Sequence, residues 1–362
     1  MIKATDSENI SVDDRIDSLL RFGEKIKESL TNFKAGKNSE LNDILIKSRI
    51  ENPWFTESNV IFALDNWSSA LNKNDVLKWV NKYAPLIKNS VTAKVVGVVN
   101  AGNIPFVGLH DMLSVLLCGH LYKAKNATSD TILLPYLASL LISINHAFRN
   151  RIQFVDRLEK IDAVIATGNN NSARYFEYYF GKYPHIIRQN RNGIAILDGK
   201  ETKEQLGELG KDIFTFFGLG CRNVSKIFVP RNYDFRELFE SVYQFNEIMS
   251  HSKYMNNFDY NNSVYLLKRI KFLQNGFLII TEEERISSPV SVLFYQEYDD
   301  INILTKKLAE KSEQIQCIAS AKSRFEKKCN LNNISVEFGK TQTPSLWDYA
   351  DGVNTLDFLC SL

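Results

Sequence analysis

The stretch VVGVVNAGNIPFVGLHDMLSVLLCGH, residues 95–120, decides the fold. Its opening VVGVVN is a short, β-branched, almost unbroken apolar run, the pattern of a strand buried on both faces of a parallel sheet. AGNIP (101–105) reads as a turn, and the apolar segment after it reads as a helix. DAVIATGNNNSARYFEYYF (162–180) repeats the texture: apolar strand, Thr-Gly-Asn turn, amphipathic helix. Further strand candidates are GIAILD (193–198), SKIFVP (225–230), GFLIIT (276–281) and VSVLFY (290–295). Strands alternating with helices of this length predict an α/β fold with a mostly parallel sheet. Ligands of such sheets sit beyond the carboxyl ends of strands, so the turns after residues 100 and 166 are candidate sites.

Working outward, residues 11–31 read as an amphipathic helix opened by Ser11 and Asp14 in the manner of a capping box. A second helical pattern follows NPW (52–54), and both helices are expected to cover a sheet. A second α/β unit is expected from about 206 to 334, after the polar segment DGKETKEQ. The chain has 362 residues, 44% of them hydrophobic, enough for a sizeable core. With 44 basic and 42 acidic residues the net charge is +2, which makes no electrostatic case for nucleic acid or an anionic membrane. The longest apolar stretch, TILLPYLASLLISI (131–144), contains Pro135 and two serines and is too short to span a bilayer. The N-terminus lacks the basic-then-apolar pattern of a secretory signal. Five scattered cysteines suit a reducing compartment, so a soluble cytoplasmic protein is expected. The five histidines show no paired ligand spacing, and no metal site is expected.

The sharpest local feature is FFGLGCRNVSKIFVP (216–230). Gly218 and Gly220 would let the backbone approach a ligand, and Cys221 at the start of a short helix beside Arg222 would favour a thiolate. A buried structural cysteine accounts for the same residues, and on the residues alone the two readings stand level.

VGVVNAGNIPFVGLHD, DAVIATGNNNSARYFEYYFGKYPHIIR, FFGLGCRNVSK and DYADGVNTLDFL together resemble the LuxC-type acyl-CoA reductase family, a branch of the aldehyde dehydrogenase superfamily. The resemblance runs in order from about residue 52 to residue 359. It implies an aldehyde-dehydrogenase-like fold of two lobes, a Rossmann-like cofactor domain and an α/β catalytic domain. It implies NADPH-dependent reduction of a fatty acyl-CoA to the aldehyde, with Cys221 as the nucleophile that carries the acyl thioester. Asn103 matches the asparagine whose amide joins the cysteine N–H in an oxyanion hole; preorganised donors of that kind contribute about 3 kcal/mol each. Lys125 falls where the superfamily contacts the adenosine ribose, with Lys123 as a competitor. Thr167, Gly168 and Asn169 resemble the turn that opens the helix nearest the cofactor pyrophosphate. No GxGxxG fingerprint occurs, as expected of this superfamily.

Two departures from the superfamily pattern matter. In IIRQNRNGIAIL (186–197) Arg188 stands where hydrolytic members carry the glutamate that activates water, and no acid follows until Asp198. Reduction of an acyl thioester fits that change, and hydrolysis to the free acid does not. In ERISSPVSVLFY (284–295) Arg285 takes the place of the glutamate that holds the nicotinamide ribose, leaving Glu284 as the candidate one position away. The expected division is a cofactor domain over 1–205, completed by 335–362, and a catalytic domain over 206–334. Expected partners are an acyl-CoA or acyl-carrier substrate, with either a homo-oligomer or a complex with an acyl-donating enzyme. Two alternatives stay open: reduction of another activated acyl group such as an acyl phosphate, and a non-catalytic, acyl-carrying or partner-binding role.

Overall fold

The run at the start of the deciding stretch forms β1 (Val95–Val99), with Val96 and Val98 fully buried. A computed structural model of the chain describes residues 10–37, 39–88, 92–168, 170–321 and 334–362. The chain divides into one unit made of Met1–Gln189 with Ser345–Leu362 and another made of Asn190–Pro344.

In the first unit β1 is the middle strand of a five-stranded sheet. The others are β2 (Leu121–Lys125), β3 (Ile152–Phe154), β4 (Ala163–Thr167) and β5 (His185–Arg188). They lie in the order β3-β2-β1-β4-β5, and every pairing is parallel. The helix Leu109–Leu117 leads from β1 to β2, and the helix Asn170–Phe180 leads from β4 to β5. The amphipathic N-terminal segment is the helix Val12–Lys34. The Ser11 hydroxyl oxygen accepts from the Asp14 N–H at 3.1 Å, and Leu19, Phe22, Ile26 and Leu30 are buried. No described helix is long and apolar enough to cross a membrane.

A buried ion pair ties this unit together. Arg188, at the end of β5, donates from Nη1 to Asp111 Oδ2 at 2.6 Å and from Nη2 to Asp111 Oδ1 at 2.8 Å. Its Nη1 also reaches the Thr167 hydroxyl (3.3 Å), and its Nη2 reaches the Thr355 hydroxyl (3.2 Å). One guanidinium therefore joins β4, β5, the 109–117 helix and the returning C-terminal segment. Trp79 Nε1 to the Tyr349 hydroxyl (2.9 Å) and a bond between the His110 ring and the Leu346 carbonyl (2.8 Å) hold that segment further.

The second unit is built on seven strands: β6 (Asn192–Ile196), β7 (Val224–Pro230), β8 (Phe272–Gln274), β9 (Ile279–Glu282), β10 (Val292–Tyr298), β11 (Ile315–Ser320) and β12 (Ile334–Glu337). Their order is β12-β11-β6-β7-β10-β9-β8, which makes β7 the centre. Among the described strands only the edge strand β8 runs antiparallel to its neighbour. Ile194, Ile196, Phe228, Leu304, Leu308 and Ile318 form a core cluster on this sheet.

The domain division differs from the expected one at both ends. Strand β6 pairs with β7 and β11, so the second unit begins at Asn190 rather than near 206. The polar DGKETKEQ segment is the link from β6 to the helix Lys203–Phe214, closed by the Glu201 carboxylate on the Asp198 and Gly199 N–H groups. A Thr202–Gln205 capping box then starts that helix. At the other end β12 pairs with β11, so residues 335–344 stay with the second unit and only Ser345–Leu362 rejoin the first.

Arg188→Leu or Asp111→Leu alone should lower the stability of the first unit by about 3–5 kcal/mol, because each leaves an uncompensated buried charge. The double variant should lose less than either single one in urea unfolding. Additive losses would show that the pair acts as two unrelated groups.

Candidate functional site

The turn after β1 is fixed by side chains reaching its backbone. The Gly102 carbonyl accepts from Asn52 Nδ2 at 3.1 Å and from the Ser129 hydroxyl at 3.2 Å. Asn100, just before it, donates through Nδ2 to the Tyr122 hydroxyl (3.0 Å) and to Asn126 Oδ1 (2.9 Å). Phe106 follows in a left-handed conformation (φ 62°) with its ring buried. Asn103 is thus exposed on a braced turn at the carboxyl end of β1.

Lys125 is the last residue of β2, and its side chain is exposed. It lines a cavity of about 750 Å³ in the first unit, together with Arg157, Lys160, Tyr175, Tyr179 and Lys182. One wall is the 156–161 connection that crosses from β3 to β4, and the opposite wall is the 170–180 helix. The crossing packs closely over Gly97: a Cβ there would lie 3.1 Å from the Ile161 side chain and 3.3 Å from that of Leu158, so both would have to shift. The competitor Lys123 donates to the Glu159 carbonyl at 2.6 Å and so fastens the crossing segment. Basic residues outnumber acidic ones around the cavity, and Phe176 and the tyrosines supply flat apolar walls. An adenine nucleotide fits such a lining, with rings for the base and ammonium groups for phosphate. Sequence reasoning missed Arg157, Lys160 and Lys182. The one available signal was the charged run DRLEK (156–160) between two strand candidates.

The turn opening the 170–180 helix has a second constraint. At Gly168 a Cβ would stand 2.8 Å from both Phe176 and Ser172, so only glycine lets the helix turn back this sharply. Thr167 accepts from Arg188, and Asn169 lies outside the described residues.

In the second unit Cys221 occupies a turn, not the start of a helix. The Asn223 N–H donates to the Gly220 carbonyl at 3.0 Å, which puts Cys221 and Arg222 at the two central positions. Asn223 locks this turn: its Oδ1 accepts from the Gly220 N–H (2.8 Å), and its Nδ2 donates to the carbonyls of Asp212 (2.9 Å) and Thr215 (2.8 Å). Phe216 and Phe217 precede it with φ of 54° and 58°, each left-handed residue costing of order 1–3 kcal/mol. Both rings are buried, and that of Phe217 lies 4.2 Å from the His251 ring and 6.1 Å from Tyr254, burial that offsets the strain. The Cys221 side chain is exposed, which rules out the structural-core reading. The Arg222 side chain turns inward. Its Nε donates to the Thr341 carbonyl (2.5 Å), while both Nη groups are buried with no acceptor among the described residues. Thr341 in turn gives its N–H (3.0 Å) and hydroxyl (2.8 Å) to Asp212, whose carboxyl is pushed up to about 6 by burial.

Glu284 is exposed, and Arg285 pairs with Glu283 at 2.9 Å. What holds this segment is Lys226, almost fully buried on β7. Its Nζ donates to the carbonyls of Glu283 (2.7 Å) and Glu284 (2.9 Å) and to Gln296 Oε1 (3.0 Å). Burial pushes this lysine down to about 8. Asn103, Lys125, Thr167 and Gly168 thus belong to the first unit, and Cys221 and Glu284 to the second.

No family model matches the sequence, and no curated protein matches it. The fold, by contrast, is that of aldehyde dehydrogenases of known structure. The NAD+ complex of an aldehyde dehydrogenase from Bacillus cereus matches 99% of this chain and 85% of its own, at 14% identity and a TM-score of 0.63. Aldehyde dehydrogenase 21 from Physcomitrella patens, solved with the reaction product succinate, matches 97% of this chain and 88% of its own (12% identity, TM-score 0.63). The aldehyde dehydrogenase KauB from Pseudomonas aeruginosa matches 96% and 82% (12% identity, TM-score 0.62). At such identities the likeness shows the fold.

Lys226 generates a pH signature. Its folded pKa (about 8) lies below its ordinary 10.5, so the unfolded chain binds the extra proton between those values. Its contribution to stability is therefore present above about 10.5 and lost as pH falls through about 8. The stability difference between wild type and Lys226→Met, measured by urea unfolding, should move in favour of wild type as pH rises across that window. A flat difference would show that the lysine is not held in its neutral-favouring environment.

Proposed function

We propose that the chain reduces an activated acyl group to an aldehyde with NADPH, taking a fatty acyl-CoA as substrate, through an acyl-enzyme on Cys221. The observation that carries this reading is an exposed thiol at the apex of a turn that Asn223 locks from below.

The Cys221 thiolate attacks the carbonyl carbon, the tetrahedral oxyanion accepts from the Asn103 amide, and its collapse expels CoA thiolate. The braced turn around Gly102 keeps Asn103 from reorganising during that step. When bound, NADPH supplies the hydride that releases the acyl group as aldehyde. Lys125, with Arg157, Lys160 and Lys182 around the same cavity, would hold the adenosine end and its 2′-phosphate. Arg188 cannot serve as a base, because its guanidinium is committed to Asp111. That supports a thioester which water does not clear. Thr167 and Gly168 are assigned to the pyrophosphate side, and Glu284 to the nicotinamide ribose.

The test is incubation with radiolabelled acyl-CoA in the absence of cofactor. Wild type should retain label that hydroxylamine removes, and Cys221→Ala should retain none. Asn103→Ala should acylate slower by roughly 10²–10³-fold. Equal labelling of Cys221→Ala rejects the mechanism. Acyl phosphates and carrier-bound acyl groups, run in parallel, identify the preferred donor.

Lys125→Ala should weaken NADPH binding by roughly tenfold or more and NADH binding by less, since an ammonium–phosphate bond is worth about 1.5–3 kcal/mol. Protein fluorescence titration reads both. An equal loss for the two cofactors would remove the 2′-phosphate from this lysine.

A further inference from the structure

We infer that Cys118 and Cys360 form a reversible redox pair, oxidised by a hydroperoxide to an intrachain disulfide that fastens the C-terminal helix to the rest of the first unit. Cys118 ends the 109–117 helix, and Cys360 is the last residue of the helix Thr355–Cys360. Their sulfurs lie 3.9 Å apart, although 242 positions separate them in the chain.

The surroundings keep them in contact. The His120 Nδ1 accepts from the Lys94 N–H at 3.2 Å, so its Nε2–H donates to the Leu359 carbonyl at 2.9 Å. Burial lowers the pKa of this ring, which keeps it neutral for that double role. Leu356 and Leu359 are buried, and the Cys118 N–H is bonded to the Ser114 carbonyl at 3.1 Å. Both sulfurs are thus carried by helices fixed on either side of the pair. Closing to the roughly 2.05 Å of a disulfide requires side-chain rotation over less than about 2 Å. Cys360, half-buried at a helix end, has room to make it. A small cleft bounded by Leu86, Ile87 and Leu362 opens on both cysteines and gives a small oxidant a way in.

The two thiols are unequal. Cys118 is raised by its hydrogen bond with Cys360 and by burial, and Cys360 is lowered by the same hydrogen bond. Cys360, the more exposed of the two and open to the cleft, is therefore the attacking sulfur. It displaces alkoxide or hydroxide from the hydroperoxide and becomes a sulfenic acid. Cys118 then attacks that sulfur, forming the S–S bond; the hydroxyl leaves with the Cys118 proton as water. The peroxide is reduced by two electrons and the dithiol oxidised by two. This chemistry does not depend on the activity proposed for Cys221.

The experiment treats the full chain with hydrogen peroxide, blocks remaining thiols in denaturant and maps tryptic peptides. The expected product links residues 95–123 to residues 341–362, disappears on dithiothreitol treatment, and is absent from Cys118→Ser, in which Cys360 is recovered as sulfinic acid instead. Oxidised wild type should also unfold at higher urea than the reduced protein, a shift missing in Cys118→Ser. Exposed Cys221 serves as the internal control for oxidant. Oxidation of Cys221 with no link between the two peptides, or a link from Cys360 to another cysteine, overturns the proposal.

Discussion

A bidentate ion pair shut away from water, Arg188 to Asp111, sets the terms for the first unit. Taking both charges out of solvent is costly, and their attraction repays that cost only while the geometry is held. The pair is therefore a specificity device. It demands that β5 end beside the 109–117 helix and that Thr167 and Thr355 complete the guanidinium's bonds. The same commitment leaves the Arg188 guanidinium no free electron pair and no free charge with which to act as a base.

The two candidate regions follow one rule: a reactive or polar side chain is exposed on a turn whose backbone is tied down from elsewhere. Asn52 and Ser129 hold the Gly102 carbonyl beside Asn103, and Asn223 holds the turn that carries Cys221. Amide-to-backbone bonds suit this work, since one Asn can satisfy a donor and two acceptors at once. The strain stored at Phe216 and Phe217 is tolerated because both rings are embedded in the core.

Legibility in the sequence tracked burial pattern. Strands β1, β4, β6, β7, β9 and β10 were readable because they are apolar runs with few interruptions. By contrast LYKAK (β2) and HIIR (β5) mix charge with apolar residues, and IQF (β3) is three residues long, so periodicity gave no handle on them. The polar segment after β6 marked a strand-to-helix link and was read as a boundary, because composition does not reveal which sheet a strand joins. The helix start expected at Cys221 is a turn instead, and the left-handed backbone before it runs over Phe216, Phe217 and Gly218, two of which no sequence rule marks for that conformation. Cys221 could be singled out from local residues and resemblance, and Lys125 from resemblance alone. The partner of Arg188 lies 77 positions away, and no local pattern announces it.

The second unit is one continuous stretch, while the first is interrupted by it and closed by Ser345–Leu362. On the ribosome this connectivity imposes an order. The inserted unit emerges whole and can complete its sheet while the flanking one still waits for its last piece. Until then the surface that Leu356 and Leu359 will cover stays wet, and Arg188 lacks the Thr355 hydroxyl. The nascent chain therefore carries an uncovered apolar face until residues 345–362 have been made, the kind of exposure that chaperones exist to shield.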